Sequence, residues 1–594
     1  MRVGQPSYSI KKLEPLYMGD QLRSDDDDAV GDGGASVVAY HEYRDLRVDD
    51  SAAAEARLAA LADYNEYDCL STLRLRDWLL ERADEAGVRD QIVPRIKDVQ
   101  GEELSEEDPV FLALMAKSGP EQRSKRTPEE QAYAMLATSL DYYRRECKQY
   151  WWEQFERLGH LVDDWSDSRD VYVVESAAIV QDWAVPEGRA TNPRRVVRLV
   201  GEWTPGTKAS SGAQVVYPTP APPGSSAPDG APYGAAGSAG VETDPDDPRV
   251  ILLTESRKPA ETFSDLPVAL VPGMPPKTEK IEAALREVGV NAAAAASLPG
   301  QGVLDILARR APRLTGNGAL PVGGSTAESV VAALIGMNDS YVAIQGPPGT
   351  GKTYTGSRVV KELVEKHHWR IGVVAQSHAV VENMLAGTVK AGLDASLVGK
   401  GKTESESPVW TPLKNVPKFL DEHVATGCVI GGTAWDFANE NTVARGSLDL
   451  LVVDEAGQFS LAPTIGASVA AKRLLLMGDP QQLPQVSQGS HAEPVDESAL
   501  GWLMDGNDTI PTDLGYFLGE SYRMHPELCA KVSTLSYDGR LHSAPPAALR
   551  SLEGVEPGLH VAALDHTGNR TESPEEAAED DRRKRFERFK KFDV

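Results

Sequence analysis

From about Pro321 onward the chain alternates short, nearly continuous apolar runs with longer helical stretches. Runs of that kind, bounded by glycine and small polar residues, predict parallel strands buried on both faces and joined by crossover helices. They place strands at 341–345, 370–376, 428–433, 449–453 and 473–477, and each run ends where a polar, chemistry-bearing residue begins. Ligand sites at the carboxyl ends of parallel strands require that arrangement. The first half reads differently. A Leu- and Ala-rich pattern over 52–83 predicts a helix, and 108–159 is again helical, with Tyr142, Tyr143, Tyr150, Trp151, Trp152 and Phe155. Those aromatics are expected inside a core rather than on a base-stacking platform. Val-rich runs at 171–174 and 196–200 predict a small β element, followed at 559–564 by a further strand near the end of the chain.

The intervening stretch 204–247 is rich in Pro, Gly, Ala and Ser and poor in large aliphatic residues, so it is expected to be a disordered linker. The resulting division is 1–90, 91–203 (helical, then strand-rich), the linker 204–247, an accessory region 248–320, a first α/β domain at 321–495, and a second, incomplete one at 496–594 that ends in a charged tail, 581–586.

Composition narrows the function classes. With 41% hydrophobic and 25% charged residues the chain reads as globular, and no apolar run approaches the roughly 18 residues that span a bilayer. A basic, apolar secretory leader is not visible, which sets a cytoplasmic expectation and no membrane partner. Four scattered cysteines, Cys69, Cys147, Cys428 and Cys529, argue against a zinc knuckle or disulfide framework and for buried thiols. A net charge of −28 excludes wrapping nucleic acid by bulk charge, so any such partner must sit in a local groove.

The sharpest chemical signal is Gly346-Pro347-Pro348-Gly349-Thr350-Gly351-Lys352-Thr353, a phosphate-binding loop set between a predicted strand and a predicted helix. Its glycines let backbone N–H groups face a β-phosphate. Lys352 would neutralise the β/γ oxygens of ATP, and Thr353 would offer its hydroxyl to Mg²⁺. About a hundred residues on, an apolar strand ends in Asp454 and Glu455, the first placed to hold Mg²⁺ through water and the second to polarise the attacking water.

These residues sit within a longer series that resembles the superfamily 1 helicases of the nonsense-mediated-decay helicase subgroup. Ile344 to Thr353 resembles motif I, Ala375-Gln376-Ser377-His378-Ala379-Val380-Val381-Glu382-Asn383 motif Ia, and Gly432-Thr433 the next motif on the nucleic-acid side. Asp454-Glu455-Ala456-Gly457-Gln458 resembles motif II, Gly478-Asp479-Pro480-Gln481-Gln482-Leu483 motif III, and Ser521-Tyr522-Arg523-Met524-His525-Pro526 motif IV. The resemblance implies an α/β fold with one RecA-like P-loop domain and the start of a second. It implies that Gln482 senses the γ-phosphate, that Arg523 reaches the cleft as an arginine finger, and that Ser377, Asn383 and Thr433 touch a phosphodiester backbone. For those three the other reading is strand-end capping.

Two departures stand out. The family's glutamine upstream of the P-loop is not evident, Glu328-Ser329 standing near its position, and nothing resembling motifs V or VI follows Arg523. The second departure implies a truncated second domain. At the amino end, Tyr64-Asn65-Glu66-Tyr67-Asp68 resembles the Y-x-x-x-D motif of an RNase H-like 3'-to-5' exonuclease, as in bacterial RecB-like nuclease/helicase fusions. Tyr64 and Asp68 would be a nuclease remnant, since the upstream D-x-E is not found and the acidic run Asp25 to Asp28 reads as solvated loop.

The expectation is thus an ATP- and Mg²⁺-dependent helicase or translocase core of a repair or recombination enzyme. Its partner would be single-stranded or partly duplex nucleic acid, DNA favoured over RNA. The alternative is a non-translocating ATP-binding module.

Overall fold

The computed structural model describes residues 13–19, 51–85, 108–165, 170–187, 191–204, 213–316 and 318–551, with a few isolated positions toward either end. The chain divides into two compact units, Met1–Gly101 with His560–Val594, and Glu102–Leu559. The first contains one long helix, α1 (Ser51–Glu85), where the Leu/Ala pattern predicts it. Its Ser71 hydroxyl donates to the buried Glu14 carboxylate at 3.0 Å, and Tyr67 donates to the same group at 3.4 Å. Cys69 is exposed on this helix, against the expectation of a buried thiol, because the helix presents that side to solvent. The acidic run at 25–28 and the tail at 581–586 lie outside the described residues, as does part of the strand expected at 559–564.

The second unit opens with α2 (Pro109–Met115), α3 (Pro128–Ser139) and α4 (Tyr142–Gly159). The start of α3 is written in its sequence: Thr127 and Glu130 form a reciprocal capping box around Pro128 at the first helical position. Helix α4 buries Tyr142 and Tyr143 at its beginning, while Trp152, halfway along, is exposed beneath the Lys148 ammonium. The core reading of its aromatics therefore applies to one half of the helix only.

Seven antiparallel strands follow: β1 (Tyr172–Ala184), β2 (Arg194–Trp203), β3 (Gln214–Pro218), β4 (Tyr233–Ser238), β5 (Gly240–Thr243), β6 (Val250–Ser256) and β7 (Ala269–Val271). Their order is β4-β3-β7-β1-β2-β6-β5. The described part of the expected linker 204–247 is thus not disordered but supplies three of these strands. Its prolines collect in the 219–232 connection, while Val215, Val216 and Tyr217 are wholly buried against neighbours contributed by β1, β2, β6 and β7. Local composition understated the segment because the apolar surface it needs belongs to other strands. The boundaries expected at 203 and 247 both fall within this one sheet.

Helices α5 (Glu279–Ala294), α6 (Gly302–Leu307) and α7 (Thr326–Ile335) lead into an eight-stranded sheet of β8 (Tyr341–Gln345), β9 (Arg370–Val374), β10 (Val398–Lys400), β11 (Thr411–Pro412), β12 (Cys428–Gly432), β13 (Leu450–Asp454), β14 (Leu474–Gly478) and β15 (Gly515–Phe517). All pairings are parallel, in the order β11-β10-β12-β9-β13-β14-β8-β15. The five predicted strands are present with ends shifted by a residue or two.

Alternation along each strand feeds two cores. Tyr341, Ala343, Leu451, Val453, Leu474 and Leu476 pack with α2, α3, α5 and α6 on one face. Val342, Ile344, Leu450, Val452, Leu475 and Met477 pack on the other with α7, α8 (Lys352–His367) and α9 (His378–Lys390). Such double coverage explains why the strands read as unbroken apolar runs.

One boundary moves. Residues 496–517, assigned to a second domain, go with the parallel sheet: β15 pairs with β8, and the Tyr516 hydroxyl donates to Pro321 O at 2.8 Å. A three-residue strand is too short to register as a periodic run, which is why it was not predicted. Beyond it lie α10 (Pro526–Ser536) and the two-residue pair β16 (Glu520–Ser521) and β17 (His542–Ser543). Among the described residues no helix is long and apolar enough to cross a membrane.

Candidate nucleotide site

Strand β8 delivers the chain to the P-loop and is held in place by its own last side chain. The Gln345 amide donates to Asp508 O at 3.0 Å and accepts from Ile510 N at 2.7 Å, while Gly346 N donates to Gly478 O at 2.8 Å. Three glycines are then required. A Cβ on Gly346 would lie 2.4 Å from Lys352 Cγ, and Gly349 and Gly351 hold φ of +78° and +81°, in the left-handed region. Thr350 closes the loop by donating to Pro347 O at 2.7 Å. The Lys352 ammonium turns back onto Gly346 O at 2.9 Å, and Thr353 stands in the first turn of α8, partly buried.

Two strands over, β13 is buried along its whole length and ends in Asp454, which is 3% exposed. Burial, and then the adjacent Glu455 charge, push this carboxyl up to about 7, against the pull of Lys352. Glu455 has φ of +53°, and its carbonyl accepts from Gln458 N and Phe459 N, so a tight turn follows the two acids. A glycine cradle that side chains would fill, with a buried carboxyl that no cation hydrogen-bonds, fits a phosphate chain with a divalent cation. Gly346 to Thr353 would hold the phosphates, and Thr353 and Asp454 the metal.

Motif III leaves β14 at Gly478. Gln482 donates to Asp479 Oδ2 at 3.2 Å, and the same oxygen accepts from the Tyr537 hydroxyl at 2.8 Å. Burial, with the Asp479 charge beside it, holds that hydroxyl well above the ordinary tyrosine range. Motif IV lies directly on the P-loop: Ser521 Oγ donates to Pro348 O at 3.0 Å and Tyr522 N to Gly349 O at 2.9 Å. A Cβ on Gly349 would meet Arg523 Cβ at 2.2 Å, so Arg523 stands beside the loop, its side chain exposed.

Of the residues expected to face nucleic acid, Ser377 and Thr433 follow the carboxyl ends of β9 and β12 and Asn383 lies in α9. Ser377 Oγ accepts from Val380 N as the cap of α9, Thr433 caps the helix Ala434–Ala438 with Asp436, and Asn383 is exposed. Ser377 and Thr433 thus each stand at the start of a helix. Beside them is a small cavity of about 30 Å³ lined by His378, Lys400, Lys402, Asp436 and neighbours. There the buried Lys400 ammonium donates to Glu382 at 3.1 Å and lies 3.0 Å from His378 Nδ1. Burial, then the charge on Lys400, hold the His378 ring below its ordinary value.

Tyr64 and Asp68 lie one turn apart on α1, in the other unit. Among the described residues no group of three or more His, Cys, Asp or Glu side chains is gathered to hold a metal. Sequence reading passed over Tyr537, Glu146 and His491, none of which belongs to a motif. It quoted Asp479 and Ser521 only as motif neighbours.

Residues 326–500 match the AAA domain family. The DNA replication ATP-dependent helicase/nuclease DNA2 of Gallus gallus is 26% identical over 215 residues, 34% of this chain and 21% of the relative. That of Xenopus laevis is 27% identical over 224 residues, 35% of this chain and 20% of the relative. The chain therefore spans about a fifth of the length of these curated relatives. Among solved structures, an arterivirus nonstructural protein 10 (helicase) bound to DNA covers 52% of this chain and 53% of its own, at 16% identity and a TM-score of 0.27. With a P-loop, an acid pair and a parallel sheet already in place, the family match identifies residues 326–500 as an AAA domain.

Proposed function

We propose that this chain is the core of an ATP-dependent helicase or translocase that acts on nucleic acid, DNA in preference to RNA, in repair or recombination. The observation that carries the reading is the seating of motif IV on the P-loop through Ser521, Tyr522 and Arg523. A structural P-loop has no need of an arginine from a later element, whereas a hydrolase that changes shape with its γ-phosphate does. The DNA preference rests on the names of the curated relatives and on the Tyr64/Asp68 resemblance.

In this reading Lys352 neutralises the β/γ oxygens and the loop amides orient the chain of phosphates. Thr353 and Asp454 would hold Mg²⁺, which would offset the charge of the phosphate oxygens. Glu455 takes the proton of the attacking water, Gln482 reports on the γ-phosphate, and Arg523 stabilises charge on the transferring group. Ser377, Asn383 and Thr433 grip the phosphodiester backbone without reading sequence. No catalysis is assigned to Tyr64 or Asp68.

The test is ATP turnover by the 594-residue chain with and without single-stranded DNA, beside Lys352→Ala and Glu455→Gln. Stimulation by DNA that both substitutions abolish, with nucleotide binding retained in Glu455→Gln, is the expected result. Turnover indifferent to DNA and RNA would reduce the protein to a nucleotide-binding module.

A further inference from the structure

The loop that follows Gln482 does not end free. Its middle is tied to motif Ia, where the Gln376 amide donates to Gln485 Oε1 and to Gln458 O, each at 2.6 Å. Its far end is gripped by one side chain on α4. Glu146 Oε1 accepts from Ser487 Oγ at 2.6 Å, Gly489 N at 3.1 Å and His491 Nε2 at 2.7 Å, while Oε2 accepts from Gln488 N at 3.0 Å. The His491 ring stacks on Tyr142 at 4.8 Å, Arg145 donates to Ser490 O at 3.1 Å, and a Cβ on Gly489 would strike the Arg145 backbone at 2.9 Å.

The other end of α4 carries the antiparallel sheet. Tyr150 donates to Pro272 O at 3.2 Å and accepts from the Gln214 amide, and Leu158 packs with Val171, Val216, Ala235, Ala269 and Val271. One continuous helix of 18 residues thus joins the loop after the γ-phosphate sensor to a separate sheet. A helix resists bending over such a length, so a displacement of the loop at 487–491 is delivered to the sheet instead of being absorbed.

We infer that Glu146 is a positioning residue that couples the nucleotide-dependent state of the Asp479–His491 loop to the antiparallel sheet through α4, and that it sets how strongly nucleic acid stimulates ATP turnover. The inference rests on the function proposed above for its second half only. Four hydrogen bonds converging on one carboxylate make the joint stiff, since Ser487, Gln488, Gly489 and His491 are held by the same pair of oxygens.

Two measurements on the full chain test it. In amide hydrogen exchange with and without a non-hydrolysable ATP analogue and Mg²⁺, the helix 142–159 is expected to change its protection on nucleotide binding in the parent chain. It should not do so in Glu146→Ala, with nucleotide affinity within about twofold of the parent. In steady-state turnover, Glu146→Ala should lose about five- to tenfold of the DNA-stimulated kcat and keep both its basal kcat and its KM for ATP. Glu146→Gln, which keeps the three bonds to Oε1, should lose about two- to threefold and serves where the alanine variant does not fold.

A helix that ignores nucleotide in the parent chain, or a folded Glu146→Ala chain with the parent's stimulated rate, overturns the inference and leaves the helicase reading standing. A nucleotide response at the helix that depends on Glu146, in a chain that DNA does not stimulate, keeps the coupling and overturns that reading.

Discussion

In the parallel sheet one buried charge, unlike the Lys400–Glu382 pair, stands at a strand end next to the loop it serves without an ion-pair partner: Asp454 closes β13 with no cation hydrogen-bonded to it. In the antiparallel sheet the buried charges lie opposite one another within the ladder, where Arg195 of β2 faces Glu255 of β6 and both are wholly buried. The guanidinium donates to Glu255 at 2.7 Å, to Asp265 O at 2.8 Å, and to Phe263 O and Tyr217 Oη at 3.2 Å, under the Phe263 ring at 4.3 Å. One arrangement leaves a charge in want of a ligand. The other satisfies its charges internally and spends them on holding the 257–268 connection to the sheet. Chemistry and architecture are thus separated, and substitutions in the two regions should have opposite signatures.

The largest effect is expected where internal pairing is broken. Arg195→Met leaves Glu255 buried with Tyr217 and the more distant Arg257, and should destabilise the antiparallel sheet by about 3–5 kcal/mol in chemical denaturation. Basal ATP turnover should stay within about twofold of the parent below the transition. Combining it with Glu255→Leu should restore most of the loss, since an apolar pair of similar volume replaces a buried ion pair at little cost. A collapse of basal turnover in the folded single variant would erase the separation of roles.

Gly349→Ala is the mirror experiment. The added methyl meets a φ of +78° and the Arg523 Cβ at 2.2 Å, so it displaces motif IV from the P-loop. ATP turnover should fall about ten- to a hundredfold, about 1.4–2.7 kcal/mol of barrier, with the antiparallel sheet melting as in the parent. Unchanged turnover would mean that contact between motif IV and the P-loop has no part in hydrolysis.

The same contrast governs what could be read from sequence. Strand β8 falls at the predicted residues because a doubly covered parallel strand is an unbroken apolar run, and the P-loop glycines announce themselves by spacing. Strand β4 was illegible: Gly234, Ala235 and Ala236 are buried by partners brought from distant parts of the chain, and glycine and alanine carry no strand signal alone. Strand β15, three residues long, went the same way. Within the site, Lys352 and Asp454 were visible as motifs, but the grip of Glu146 on His491 joins positions 345 apart, and no local pattern encodes it.

A smaller effect is expected at the seam between motif III and α10. Tyr537→Phe leaves Asp479, 1% exposed, with the Gln482 amide as its remaining side-chain donor at Oδ2. The loss of a hydrogen bond to a buried carboxylate should cost about 1.5 kcal/mol in urea unfolding of the second unit. Turnover should drop a few-fold as Gln482 is drawn further toward Asp479. Stability loss without any change in turnover would make the tyrosine part of the architecture, on the side of Arg195.

The smallest effect concerns pH. Burial raises the Glu146 carboxyl, but the hydrogen bonds from His491, Ser487, Gln488 and Gly489 outweigh it and hold the group down at about 2, from an ordinary 4.5. A carboxyl that is more acidic folded than unfolded adds stability that is complete above pH 4.5 and is lost as pH falls from there toward 2, because only the unfolded chain takes up the proton in that window. With its side chain 17% exposed, the contribution is discounted to about 1–2 kcal/mol. The stability gap between the parent and Glu146→Gln should therefore be widest at pH 5–7 and narrow steadily below about 4.5. A gap that stays constant down to pH 3 would assign the joint to packing of His491 on Tyr142, making the α4 anchor closer in kind to the buried network of the antiparallel sheet than to the open carboxyl of the nucleotide site.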